Sequence, residues 1–332
     1  MTIVLENVKP FNWSIENKPL PQALRITGVV EYYRWNLVLT AEDIATKKEY
    51  LVNIPAADIS KRSNFSEDAF REEMRRTAEH EKNAALQACG CMPAGLAASQ
   101  KGISIPVYTG EISGLDQIHS VGNIRIYGTV GLMEGAVRNF GHLSHRIGTL
   151  DEKARDYMAY RLLMVALKLE QAGVAHLELD WSGLFLREDG LLGNFGSAAP
   201  FGHERPFLTG VLPRYPEPNV IVQLSESGLT MPEAKTNMWH LGILLFHLYT
   251  GNQDSCGGHM GRDAMQEIMT LSKVLLEKGL RSNVLIPELE ASNVPRRWVE
   301  LIVRLLEPTR AHRISGFQVV REFPDLINQQ AE

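Results

Sequence analysis

The order of two apolar patterns constrains this chain more than any single motif. From Leu24 to Ile54 the sequence is rich in Val, Ile, Leu, Tyr and Trp with short polar breaks, which predicts strands at Leu24–Val30, Asn36–Glu42 and Glu49–Ile54. A helix follows. Ser66 opens it, Glu67 and Asp68 suit its first turn, and Gly90 lies just past its end. Ile103–Tyr108 and Asn123–Val130 read as two more strands. After residue 131 helical periodicity takes over, at Glu152–Gln171, Lys235–Thr250, Ala264–Lys278 and Arg296–Leu306. Only the short apolar runs Leu184–Leu186 and Leu191–Leu192, around a Gly190 turn, interrupt it. Strands first and helices second describe an α+β protein of two lobes, not the alternation of a doubly wound sheet. The expected parts are an extended N-terminal arm at 1–23, carrying Pro10, Trp13, Pro19 and Pro21, a β-rich lobe at 24–131, and a helical lobe at 132–332.

Composition removes several functional classes. With 332 residues, 44% hydrophobic and 22% charged, the chain has ample material for a core. Lys and Arg number 34 against 39 Asp and Glu, a net charge of −5. Such a chain is a poor partner for nucleic acid, whose binding rests on phosphate neutralisation. No run approaches the roughly 20 apolar residues of a transmembrane helix. The start, with no basic segment leading into an apolar one, fits either a cytosolic chain or a mature secreted one. Cys89, Cys91 and Cys256 are too few for a disulfide framework. They read as small buried thiols, with one disulfide plus a free thiol as the other arrangement. Cys89, Cys91 and His80 make too small a ligand set for local zinc, and His142 and His145 have no third ligand nearby. No metal or cofactor is expected.

The segment Gly173-Val174-Ala175-His176-Leu177-Glu178-Leu179-Asp180, then Leu184-Phe185-Leu186, closing on Asn194-Phe195-Gly196, resembles the catalytic loop and D-F-G segment of protein kinases. Further matches follow in order. Tyr215-Pro216-Glu217 resembles A-P-E, and Asn237-Met238-Trp239-His240-Leu241-Gly242 resembles the D-x-W-x-x-G that opens a central helix. Arg313 resembles the late Arg that pairs with the A-P-E Glu. Leu51-Val52-Asn53-Ile54 resembles the V-A-I-K strand, with Glu72 or Glu73 on the helix after it. The hairpin before Asn194 is about two residues shorter than the pattern. The resemblance spans residues 24 to 325. Within kinases it is similar to the rhoptry kinase family secreted by apicomplexan parasites, on the Asp58–Asn64 insert, the Pro93–Tyr108 connection and the Pro218–Glu233 segment. A bradyzoite, cyst-wall pseudokinase is the form that resemblance suggests.

The resemblance implies a degenerate site. Phosphoryl transfer is mostly positioning and electrostatics. The glycine-rich loop position reads Glu31-Tyr32-Tyr33-Arg34-Trp35, and after Gly28 no glycine occurs until Gly90. The strand Lys is Asn53, with Lys48 outside the matching slot. The catalytic Asp is Glu178, the Arg before it Leu177, and the Lys two positions on Asp180. The metal-binding Asn is Gly183 and the D-F-G Asp is Asn194, a poorer Mg²⁺ ligand. What remains is architectural: His176, Phe195, Gly196, Glu217, Trp239, Gly242 and Arg313, with Thr77 at a spine-packing position.

The expectation is therefore a catalytically inactive, secreted pseudokinase acting as a binding, scaffold or structural protein, without tight ATP binding or phosphotransfer. The alternatives are an atypical kinase using Glu178 with a displaced Lys, or a small-ligand sensor in the vestigial cleft. Expected partners are proteins of the secretory, vacuolar or cyst compartment. Met265 and Met269, on a Met-rich helical face, are the candidate contacts.

Overall fold

The N-terminal segment contributes a strand to the sheet itself, because Val4, Leu5 and their neighbours find backbone partners on both sides. The structure, a computed structural model, describes residues 4–10, 20–33, 36–58, 66–115, 124–134, 138–139, 147, 149–186, 191–193, 195–206, 216–251, 272–273 and 282–328. Two compact units make up the chain: Met1–Phe140 with Leu184–Gly196, and Gly141–Gly183 with Ser197–Glu332.

In the first unit, β1 (Val4–Pro10), β2 (Ala23–Tyr33), β3 (Asn36–Asp43) and β4 (Glu49–Asp58) precede helix α1 (Glu67–Cys89). Strands β5 (Tyr108–Ser113), β6 (Ile124–Ile126) and β7 (Thr129–Glu134) follow. All pairings are antiparallel. They run β1–β2–β3–β4–β7–β5 and return from β5 to β1, so six strands close a ring, with β6 extending from β4. Side chains alternate across a strand. One set, including Leu5, Leu24, Leu39, Val52, Ile54, Tyr108, Ile112, Val130 and Leu132, forms a single buried core. Closure leaves no free edge among these six strands, and free edges are what invite pairing with other chains.

Helix α1 begins and ends as its sequence predicts. The Ser66 hydroxyl accepts from Ala69 N–H, and Gly90, at φ 71°, closes the last turn in the left-handed region. Its buried face carries Phe70 and Met74, which pack on Tyr127, and Ala84, Ala85, Ala88 and Cys89. Cys89 is buried, but Cys91 is exposed and both thiols are free, which corrects the expectation that these cysteines are buried.

Two strand expectations need correction. Ile103–Tyr108 is not a strand; the ladder begins at Tyr108, and Ile103 makes one parallel bridge to Leu192. Pro106 has no N–H to give a ladder. The apolar residues around it, Ile103, Ile105 and Val107, are buried as irregular chain instead. Asn123–Val130 breaks at Tyr127, whose ring leaves the ladder to lie 4.9 Å from Phe70, so two strands stand where one was expected. The first unit is completed by β8 (Arg138–Asn139), β10 (Leu184–Leu186) and β11 (Leu191–Leu192), which pair as a small sheet.

The second unit is helical. Its elements are α2 (Glu152–Gln171), β9 (Val174–Ala175), β12 (Ala199–Pro200), β13 (Arg205–Pro206), α3 (Pro218–Ser227), β14 (Leu229–Thr230), α4 (Ala234–Thr250), α5 (Ser282–Ala291), α6 (Arg296–Leu305) and α7 (Gly316–Glu322). Asp151 caps α2 through a 2.8 Å bond to its side chain from Ala154 N–H. Helix α4 is buried along most of its length, including Met238, Trp239, Leu241, Leu244, Leu245 and Phe246. Such all-round apolarity marks a helix enclosed by its neighbours. Gly242 is required there. A Cβ on it would stand 2.9 Å from Leu306 Cγ and 3.0 Å from Leu305 Cβ, so α4 and the end of α6 meet at closest approach.

Candidate functional site

In the first unit, the hairpin of β2 and β3 stays paired out to Tyr33 and Asn36. A phosphate-covering loop at this position would need open backbone N–H groups. Arg34 and Trp35 lie outside the described residues, as do the side chains of Glu31, Tyr32 and Tyr33. Gly28 serves the sheet, beside a register shift between Ile26 and Gly28. A Cβ there would meet Thr40 Oγ1 at 3.0 Å.

Asn53 sits on β4, opposite Val38 of β3 and Gly131 of β7, with its Oδ1 buried and without a hydrogen-bond partner among the described residues. Lys48 does not substitute for a cation there. Its Nζ is 2.5 Å from Glu134 Oε1 at the far end of the strand pair. On α1, Glu72 accepts from Arg75 at 2.7 Å and Arg76 at 2.9 Å, an exposed ladder. Those hydrogen bonds hold the Glu72 carboxyl down at about 2. Glu73 is half-buried, and no ion pair to it is found among the described residues. Thr77 Cγ2 stands 3.5 Å from where a Cβ on Gly196 would lie, and Phe195 is fully buried beside it in sequence. Asn194 lies outside the described residues.

In the second unit, Asn237 of α4 holds the loop that follows β9. Its Oδ1 accepts from His176 N–H at 2.9 Å and its Nδ2 donates to Val174 C=O at 2.7 Å. An amide does both jobs at once; a carboxylate would only accept. Leu177 takes φ 62°, a left-handed conformation that costs a non-glycine residue about 1–2 kcal/mol. The next residue, Glu178, is 3% exposed, and its Oε1 accepts from Ser197 Oγ at 2.6 Å. Asp180 turns back on its own chain, its Oδ1 accepting from Gly183 N–H at 3.1 Å. The three positions matched to proton, charge and metal handling are thus a carboxylate bonded to serine, a turn cap and a bare backbone.

The best-built cluster lies elsewhere in this unit. Glu217, fully buried, accepts from Arg310 through both oxygens at 2.6 and 2.7 Å, and from Arg313 at 2.5 Å. Thr236 Oγ1 donates to it at 2.8 Å. Burial alone would raise the Glu217 carboxyl; the charges of Arg313 and Arg310 override that and hold it at about 2. Arg313 also donates to the carbonyls of Lys235, Glu307 and Pro308, and its guanidinium lies 5.1 Å from the Trp239 ring centre. The Glu217–Arg313 pairing follows the sequence match; Arg310, bidentate and 7% exposed, was not anticipated. His240, one residue after Trp239, is 3% exposed, and neither ring nitrogen has a hydrogen-bond partner among the described residues. Burial pulls its pKa down to about 4.

Met265 and Met269 lie outside the described residues, as does the Ala264–Lys278 helix expectation apart from residues 272–273, which are helical, and as do Cys256, His142, His145 and Tyr215. Among the described residues no group of three His, Cys, Asp or Glu side chains is arranged to hold a metal ion, and no helix is long and apolar enough to cross a membrane.

No protein-family model matches the chain, and no curated protein matches it in sequence. Solved structures do. ROP2 from Toxoplasma gondii, described as a virulence factor with a protein-kinase fold and no enzymatic activity, superposes with a TM-score of 0.68 at 14% identity, over 98% of this chain and 84% of that one. A rhoptry kinase from Toxoplasma gondii gives 0.68 at 14% identity, over 98% and 82%. The ROP18 kinase domain, solved with AMP-PNP and sucrose, gives 0.63 at 14% identity, over 96% and 85%. The chain has a protein-kinase fold of the rhoptry-kinase kind, β-rich in its N-terminal part and helical in its C-terminal part.

Proposed function

We propose that this kinase-fold chain is a catalytically inactive pseudokinase that works by binding protein, as a scaffold or structural component. The observation that carries the reading is Asn53. A neutral amide occupies the strand position where the fold places a cation for the phosphates, and the lysine nearest to it in sequence, Lys48, is spent on Glu134. Glu178 supports it. Its carboxylate is buried against Ser197, and the longer side chain displaces the oxygen by more than in-line attack tolerates. Without the charge-assisted contacts that hold nucleotide, little affinity for Mg²⁺–ATP remains. The likeness to ROP2, a fold without activity, points the same way, while the likeness to ROP18 shows that the fold also carries nucleotide. Secretion by a parasite into a vacuolar or cyst compartment is part of the proposal, as is a partner surface around Met265 and Met269.

The test is thermal. Only a ligand that binds the native state raises Tm. ATP with Mg²⁺ is expected to leave Tm unchanged, and labelled ATP is expected to transfer no phosphate to the chain or to a generic substrate. A saturable, Mg²⁺-dependent rise at millimolar ATP or below overturns the reading.

A further inference from the structure

Helix α1 ends in a Cys-Gly-Cys segment whose three residues have different settings. Cys89, the last residue of the helix, is 1% exposed, and its Sγ donates to the Leu86 carbonyl at 3.2 Å. Gly90 takes the left-handed conformation, φ 71° and ψ 36°, that stops the helix. Cys91 follows in the left-handed region too, at φ 58°, and is exposed. Both thiols are free. Sequence leaves open which two of Cys89, Cys91 and Cys256 could pair; the backbone at Gly90 chooses.

With bond lengths fixed and peptides trans, the distance between the two Cα atoms flanking a residue depends only on that residue's φ and ψ. Gly90 is close to the mirror image of a helical residue. Mirror images share their distances. The Cα atoms of Cys89 and Cys91 therefore stand as far apart as residues i and i+2 of a helix, about 5.4 Å from its radius and rise. A disulfide joins Cα atoms roughly 4.4–6.8 Å apart. An extended residue at position 90 would set them about 6.6 Å apart, at the limit of that range.

The side chains themselves diverge, one inward and one outward, so closing a bridge takes movement of the backbone. That movement falls at a helix end, where opening is least costly. It gives up the Cys89 bond to Leu86. It also disturbs two capping bonds, from Gly90 N–H to Gln87 C=O at 3.1 Å and from Cys91 N–H to Leu86 C=O at 2.7 Å.

An exposed thiol and a buried one divide the work of thiol–disulfide exchange. A disulfide in solution reaches Cys91 and not Cys89. Burial also pushes the Cys89 thiol up, away from the thiolate that attacks.

We propose that Cys89 and Cys91 form a redox modification site whose substrate is a low-molecular-weight disulfide such as glutathione disulfide. Cys91 gives up its proton and its thiolate attacks one glutathione sulfur. The Cys91–glutathione bond forms, the glutathione disulfide bond breaks, and one glutathione leaves with a proton from solvent. Cys89 then gives up its proton and attacks Cys91 Sγ, closing the Cys89–Cys91 bond and releasing the second glutathione. Two protein thiols are oxidised and one glutathione disulfide is reduced. A ring closed over a single residue has little freedom to reach the preferred S–S dihedral, so reduced glutathione in excess reopens it. The site goes beyond the pseudokinase reading and does not rest on it, because its chemistry is confined to the end of α1.

The experiment treats the full chain with glutathione disulfide at about pH 8, where thiols exchange readily, and quenches with acid. Trypsin cuts after Lys82 and Lys101, so one peptide, 83–101, holds both cysteines. From the wild type this peptide is expected two hydrogens lighter, and excess reduced glutathione is expected to restore it. Cys89→Ala and Cys89→Ser are expected to stop at a glutathione adduct on Cys91, having no second thiol to displace it. Cys91→Ser is expected to take up no glutathione, with circular dichroism showing all three variants folded. In the oxidised wild type, amide exchange at Gly90 and Cys91 is expected to rise by at least about tenfold as their capping bonds are lost. A wild type that does not react, that keeps its glutathione adduct, or that links to the Cys256 peptide instead overturns the proposal. So does equal glutathione uptake by Cys91→Ser.

Discussion

Glu217 and Glu178 are buried carboxylates of the same unit with opposite surroundings. Glu217 receives two guanidiniums and a threonine hydroxyl, so its charge is met from three sides. Glu178 is bonded to a serine hydroxyl, on a loop that Asn237 holds and that passes through a left-handed Leu177. Two arginines for one carboxylate is a device for holding chain segments together: it ties the start of α3 to the start of α4 and to the loop before α7. The segment Glu178–Gly183, with Glu178 bonded to serine and Asp180 capping its own turn, is held by hydrogen bonds from a hydroxyl and a backbone N–H. The difference teaches that one unit can hold one buried carboxylate by two guanidinium charges and another with a hydroxyl bonded to it.

The largest expected effect tests the framework side. Glu217→Gln leaves two buried guanidiniums without their anion and is expected to cost about 3–5 kcal/mol in denaturant unfolding. A cost below about 1 kcal/mol would mean the cluster is not what holds the second unit.

Acid sharpens the same comparison through His240. Its native pKa of about 4 lies below the ordinary 6.5. The unfolded chain therefore takes up a proton through pH 6.5 that the native state refuses until about 4. Stability is full above 6.5 and falls by about 3 kcal/mol on the way to pH 4. Glu217, depressed to about 2, contributes stability that is lost only below about 4.5. Unfolding curves of His240→Leu are expected to be flat between 6.5 and 4.5 where the parent declines; parallel curves would remove His240 from the account.

Gly242→Ala comes next. The added methyl runs into Leu305 and Leu306, and overpacking of this kind costs about 1–3 kcal/mol, readable as a lower denaturant midpoint. The smallest effect belongs to Glu178. Glu178→Gln keeps an oxygen for Ser197 and is expected to cost about 1 kcal/mol, the difference between a charged and a neutral acceptor, with no change in response to Mg²⁺–ATP. A phosphotransfer signal that vanishes with this substitution would erase the contrast between the two glutamates.

Much of this was legible in the sequence, for reasons that differ by residue. Ser66, Glu67, Asp68 and Gly90 announce α1 because capping is local chemistry. Asn237 and Arg313 were found because spacing along the chain marks them. Arg310 was missed because nothing local separates an inward arginine from the exposed Arg296 or Arg321. Pro106 within an apolar run should have argued against a strand at Ile103–Tyr108. Helix α5 carries Pro287 inside it, which hides it from periodicity. The placing of Asn53 between Val38 and Gly131 exists only through register between three strands, and no reading of one strand contains it.

Closure of the ring also sets an order of events during synthesis. Glu6 of β1 pairs with Ser113 of β5, 107 residues later. At about 5–20 residues per second, β1 waits on the order of 5–20 seconds for that partner to be made. The first unit then waits longer, since Leu184–Gly196 belongs to it as well. Until then β1 and β4 stand as open edges on a growing chain. Contacts so distant in sequence make for slow folding, and a nascent chain with exposed edges is where chaperones would be expected to bind.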